Sequence, residues 1–167
     1  GDKKQGPKKV ILYIPFFHHP LLLTHHHRTR EERSVQKMEI QFFMPMHPPT
    51  CTHQEKRVRV VHGKPVLYDP PTVQAARSKL TAHLAQHAPE ALMIGGVRLM
   101  VKWLFPKGKH KDGEYRTTKP DTDNLQKLLK DCMTEVGFWK DDAQVCSEII
   151  EKFWAEIPGI WIRVEEV

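Results

Sequence analysis

Apolar residues recur along this chain with a period of two in some stretches and of three to four in others, and each change of period marks an element. From Met38 to Met44, Ile40 and Phe42 fall on one face and Gln41 and Phe43 on the other, which predicts a first strand. Arg57–Val61 and Pro65–Tyr68, separated by His62-Gly63, predict a hairpin with Arg57 and Arg59 alternating on its open face. Pro70-Pro71-Thr72 opens a helix that Pro89 must close, with Val73, Ala76, Leu80, Leu84 and Ala88 as its apolar stripe. Val97, Leu99, Val101, Trp103 and Phe105 alternate with Arg98, Met100, Lys102 and Leu104 in a further strand. A second helix runs from about Asp123 to Val136, with Leu125, Leu128, Leu129, Cys132 and Met133 inward and Gly137 placed to end it. Residues 143–156 satisfy both periods; the turn signal Ile157-Pro158-Gly159 favours a strand there, closing a terminal hairpin with Ile160–Glu165. The order predicts an α+β fold, a mixed β-sheet with two main helices on one face.

Residues 1–37 do not share this texture. Lysines, a short apolar run broken by Pro15 and Pro20, and five histidines without ligand spacing predict a poorly ordered extension, leaving 38–167 as the domain. At 167 residues, 40% hydrophobic and 28% charged, the chain suits one soluble domain. Three cysteines without paired spacing, Cys51, Cys132 and Cys146, argue against a disulfide framework and for a reducing, cytoplasmic setting, and no membrane partner is expected.

Charge changes the picture more. Residues 38–119 carry 13 Lys/Arg against 6 Asp/Glu, whereas 120–167 carry 5 against 11. A basic body beside an acidic segment suits an enzyme that holds phosphates with one and a cation with the other. The aperiodic stretch from Pro106 to Thr118, with Lys107, Lys109, Lys111 and Arg116, and Lys119 just after it, reads as a flexible phosphate-gripping arm with Tyr115 for stacking.

That arm leads into Asp121-Thr122-Asp123-Asn124, and Lys140-Asp141-Asp142 follows the helix. The four carboxylates of these two stretches, which together span 22 residues, either stand apart in solvent or converge on a cation, because like charges held together raise a pKa unless something offsets them. An all-oxygen set suits Mg²⁺ or Mn²⁺. With no HExxH, Walker or GxGxxG pattern, zinc protease and P-loop chemistry are excluded, and metal-assisted phosphodiester hydrolysis fits.

The 27 residues from Lys119 to Val145, KPDTDNLQKLLKDCMTEVGFWKDDAQV, resemble the signature of RusA-type Holliday-junction resolvases: Asp-x-Asp-Asn, a lysine, a helix, then Asp-Asp-x-Gln-Val. The resemblance implies a RusA-like fold over residues 38–167 and metal-binding carboxylates at Asp121, Asp123 and Asp142, with Asp141 as a neighbouring acid. It implies a catalytic lysine at Lys127 and a homodimer that cuts opposing strands of four-way junction DNA. Asn124 serves the Asp123 side chain or the helix start, and Asp131 is expected to be an ordinary solvated residue. Where some members carry a basic residue before the first aspartate, this chain has Pro120. The leading expectation is a Mg²⁺-dependent resolvase of a bacterium, phage or prophage, acting in DNA recombination and repair near the nucleoid. The rivals are a non-catalytic branched-DNA-binding protein and a phosphatase of small phosphates.

Overall fold

The computed structural model describes residues 37–51 and 57–167, which belong to one compact unit. The expectation for residues 1–37 lies almost wholly outside the described residues. In chain order the elements are β1 (Glu39–Pro45), β2 (Arg57–Val61), β3 (Lys64–Tyr68), α1 (Pro71–Leu84), β4 (Val97–Pro106), α2 (Thr122–Val136), a 3-10 turn (Asp142–Gln144), β5 (Val145–Ala155) and β6 (Gly159–Glu166). Four strands form one sheet in the order β1-β6-β4-β5, and β2 and β3 pair separately as a hairpin. The α+β expectation holds.

β4 shows why the layers separate. Val97, Leu99, Val101, Trp103 and Phe105 are all buried, while Arg98 and Lys102 between them are exposed. Period-two alternation therefore gives the sheet one face for the core. Against that face pack Leu80 and Leu84 of α1 and Leu125, Leu128, Leu129, Cys132 and Met133 of α2, all closed to solvent. α1 ends at Leu84 rather than near Ala88: Ala85 still donates to the Thr81 carbonyl, but Gln86 and His87 donate to carbonyls three residues back before Pro89.

The predicted terminal hairpin does not form. β5 runs parallel to β4 along the sheet's outer side, and β6 pairs antiparallel with both β4 and β1. Two parallel neighbours need a crossover, which α2 supplies, so β5 is spoken for before the chain reaches Ile157. β6 has the more buried face, Ile160, Ile162 and Val164, and takes the interior place between two partners. Its first residue, Gly159, lies so close to Phe43 and Met44 that a side chain there meets the Phe43 ring.

β2 and β3 project a ribbon whose residues are nearly all exposed. Arg57 and Arg59 share one face with Tyr68, whose ring lies 5.3 Å from the Arg59 guanidinium. Val58, Val60 and Leu67 lie exposed on the other.

Candidate active site

α2 holds the first half of the carboxylate motif. Asp121 is its N-cap in extended conformation, yet the side chain makes no capping hydrogen bond. An aspartate in this position ordinarily satisfies a free N–H of the first turn, worth about 1 kcal/mol. Here the carboxylate is left exposed at the positive end of the helix. Asp123, two residues on, is also exposed, and neither side chain makes a hydrogen bond or ion pair among the described residues.

The second half returns to the first by a reach that matches. Gly137 takes a left-handed conformation (φ 91°) that ends α2 and reverses the chain. Ten helical residues from Lys127 to Gly137 rise roughly 15 Å, a distance that the five residues from Phe138 to Asp142 are long enough to cover. Phe138 and Trp139 are buried along this return, the latter donating from Nε1 to Thr134 Oγ1 at 2.7 Å. Asp142 thereby arrives beside the middle of the helix. Lys127 Nζ lies 3.4 Å from Asp142 Oδ2 and 2.9 Å from Asp131 Oδ1. The hydrogen bond to Asp131, with the fields of Asp131 and Asp142, raises the Lys127 pKa against the opposing effect of partial burial, so the amine is held protonated.

The two adjacent acids of the return have different employment. Asp141 Oδ1 accepts from the Ala143 N–H at 2.8 Å, and Gln144 Oε1 accepts from the backbone of Lys140 and Asp141, a reciprocal capping box. Gln144 Nε2 also donates to the carbonyls of Met93 and Gly95, at 2.9 and 3.0 Å, pinning the turn to the segment before β4. No role was foreseen for Gln144, although Asp-x-x-Gln before a strand carries the capping-box spacing. Asp131 is not merely solvated: besides Lys127 it faces Arg77 of α1 at 3.6 Å.

Asp121, Asp123 and Asp142 are not drawn together into one cluster. Among the described residues no three His, Cys, Asp or Glu side chains stand in a group that could hold a metal ion. The donors are of the right kind for a hard divalent cation, since Asp121 and Asp123 offer uncommitted carboxylate oxygens one residue apart. Asp142 is committed to Lys127 instead.

The basic arm differs from expectation. Rather than a flexible loop, its second half lies along the outer edge of β5: Gly113 and Arg116 donate to the carbonyls of Trp154 and Lys152, and Trp154 donates back to Glu114. Tyr115 stacks on Phe153 at 4.7 Å, and its hydroxyl donates to Glu151 at 3.0 Å, which raises its pKa and keeps it neutral. Lys107 pairs with Glu156, and Arg116 lies over the rings of Phe105 and Trp154. Lys109, Lys111 and Lys119 are exposed and make no ion pair among the described residues.

A family model, described as endodeoxyribonuclease RusA, matches residues 45–165, from the end of β1 through both halves of the motif to β6. The chain belongs to the RusA endodeoxyribonuclease family. It is 31% identical over 134 residues to a protein of Lactococcus phage r1t named crossover junction endodeoxyribonuclease rusA, covering 78% of this chain and 99% of the relative. It is also 32% identical over 123 residues to the uncharacterized protein YqaN of Bacillus subtilis (strain 168), covering 66% of this chain and 86% of that one. The contact between Lys127 and Asp142 joins the two stretches of the motif in space. No helix of the described residues is long and apolar enough to cross a membrane.

Proposed function

We propose that this protein is a divalent-metal-dependent endonuclease that resolves four-way DNA junctions by paired phosphodiester hydrolysis, in recombination and repair. The observation that carries the proposal is the 3.4 Å contact of Lys127 with Asp142, which unites a helix and a turn 15 residues apart at one place. Membership of the RusA family and the phage relative's name support the nuclease assignment and the junction substrate.

Asp121, Asp123 and Asp142 would hold Mg²⁺, with Mn²⁺ as a substitute. Asp141 is less suited, since its Oδ1 caps the turn. A bound divalent cation supplies charge stabilisation on the phosphoryl oxygens and an activated water. Lys127, held protonated, donates to a phosphoryl oxygen as negative charge builds in the in-line displacement. Its ammonium has three N–H donors and two carboxylate partners, so one donor is left for phosphate, and parting from Asp142 would free that carboxylate to face Asp121 and Asp123.

Lys109, Lys111 and Lys119, with Arg57 and Arg59 of the ribbon, are exposed and available to the DNA backbone. Lys107 contributes after parting from Glu156. A homodimer acting in the cytoplasm, each copy built on residues 38–167, completes the proposal: two-fold symmetry matches the two related phosphates of a junction.

The second possibility, a protein that binds branched DNA without cutting it, draws on the separation of the three carboxylates. Incubation of a synthetic four-way junction with the protein and Mg²⁺, beside linear duplex and a phosphomonoester, distinguishes these. Symmetric nicks in the junction alone are expected. Binding without nicks establishes the second possibility, and equal consumption of all three substrates defeats both.

A further inference from the structure

Two cations grip the segment that delivers Asp121, and neither uses a carboxylate to do it. Lys152 of β5 donates from Nζ to the carbonyl oxygens of Thr118, at 2.9 Å, and Pro120, at 2.7 Å. Arg116 donates from Nη2 to the carbonyl between them, that of Lys119, and from Nε to Thr118 Oγ1 at 3.2 Å. Three consecutive carbonyls are thus held by two positive side chains.

The grips are themselves anchored. The Arg116 guanidinium lies 4.0 Å from the centre of the Phe105 ring on β4 and 4.5 Å from that of Trp154 on β5. Its backbone N–H bonds the Lys152 carbonyl at 2.9 Å. Burial and the neighbouring Arg116 charge lower the Lys152 pKa, while Asp121 opposes them, so the ammonium lies within the field of the Asp121 carboxylate. Thr118–Pro120 lies outside any strand or helix, and its carbonyls need donors from elsewhere. Charged donors make stronger bonds to them than neutral ones.

We propose that Arg116 and Lys152 are positioning residues: by clamping the Thr118–Pro120 backbone to the sheet they set where the Asp121 carboxylate stands at the start of α2. This rests on the nuclease function proposed above, and it withdraws Arg116 from the DNA-contacting set. The guanidinium that a basic-loop pattern assigns to phosphate is spent on the protein's own backbone.

The test uses Arg116→Met and Lys152→Met in the full chain, with Lys152→Arg as the conservative variant. Hydrogen exchange of peptides covering residues 117–125 reads the clamp without reference to activity. Exchange there is expected to rise at least about tenfold in both Met variants, with β4 and β6 unchanged. Single-turnover cleavage of a four-way junction is expected to fall roughly 100-fold, since misplacing a reacting group by about 1 Å costs that much. Junction affinity and its salt slope stay at wild-type values, and Lys152→Arg recovers part of both losses. Unchanged exchange overturns the clamp. Faster exchange with undiminished cleavage overturns its catalytic importance. Weaker binding by Arg116→Met with a salt slope reduced by about one returns Arg116 to the phosphate contacts. Wild-type protein inert towards branched DNA overturns the nuclease function instead, and the exchange result then judges the clamp alone.

Discussion

Lys127 Nζ stands 3.4 Å from Oδ2 of Asp142, 15 residues further along the chain, and 2.9 Å from Oδ1 of Asp131 within its own helix. One ammonium therefore serves a carboxylate of its own helix and one from the second half of the motif. Replacing Lys127 with Met removes the donor proposed to meet the phosphoryl charge, and cleavage is expected to fall about 100- to 1,000-fold, as for the loss of one transition-state hydrogen bond. Junction binding should persist within a few fold. Asp131→Asn, which loosens the lysine and the Arg77 contact without removing either cation, should cost less than about tenfold. Single-turnover rates and gel-shift affinities measure both, and a Lys127→Met protein that cuts at the wild-type rate excludes the lysine from the chemistry.

Gln126 is 2% exposed in α2, and neither its Oε1 nor its Nε2 finds a hydrogen-bond partner among the described residues. A buried amide without partners forfeits its hydration, and an apolar side chain of like shape avoids that loss. Gln126→Met is expected to raise stability by about 1 kcal/mol in urea unfolding. A lower midpoint at unchanged m-value shows that the amide is satisfied.

Gly159 begins β6 opposite Pro45 of β1 and Leu104 of β4. A Cβ there runs into the Phe43 ring and stands 2.7 Å from the Met44 carbonyl oxygen. Gly159→Ala should destabilise the fold by about 1–3 kcal/mol, the usual penalty of overpacking. Phe43→Leu should recover only part of it, because the Met44 backbone cannot retreat as a ring can. Complete rescue in a double-mutant cycle shows that the ring alone was the obstacle.

Glu166 accepts from the Met38 N–H at 3.2 Å and the Ile94 N–H at 3.0 Å, tying β1 and the segment before β4 to the end of β6. These bonds, that of Met38 first, hold its carboxyl below the usual glutamate range. A lowered folded pKa contributes stability that is present above the unfolded value, about 4.3, and lost as pH falls through the folded one. Glu166→Gln should therefore melt below wild type at pH 7, with the gap closing below about pH 4. A gap of constant size across that range contradicts the linkage.

Sequence periodicity revealed most of the fold and misplaced one strand. β4 was legible because alternation over ten residues has one interpretation, and α2 because five buried apolar side chains share a helical stripe. The β5–β6 hairpin was misread because Ile157-Pro158-Gly159 announces a turn but not the strand beyond it. Pairing is decided at long range, by the crossover through α2 and by which strand can be buried between two others. The arm along β5 escaped notice for a similar reason, as a few hydrogen-bonded residues are too short to show a period.

In the candidate site, the spacing of the motif made it possible for Lys127 and Asp142 to meet, since the return is long enough to reach back along the helix. Charge alone did not distinguish Asp141, which caps a turn, from Asp142, which faces Lys127. Nor did it separate Lys109, open to solvent, from Arg116, bound to backbone and stacked on two rings. Backbone carbonyls leave no trace in a sequence, so a cation serving them looks like one awaiting phosphate.

The union of the two motif halves around a cation is tested most directly by a crystal structure of the protein soaked in Mn²⁺, read by anomalous scattering. The account predicts a peak bounded by the carboxylates of Asp121, Asp123 and Asp142, with Lys127 released from Asp142. Asp142 still bound to Lys127, with no peak between them at Mn²⁺ concentrations that support cleavage, contradicts it.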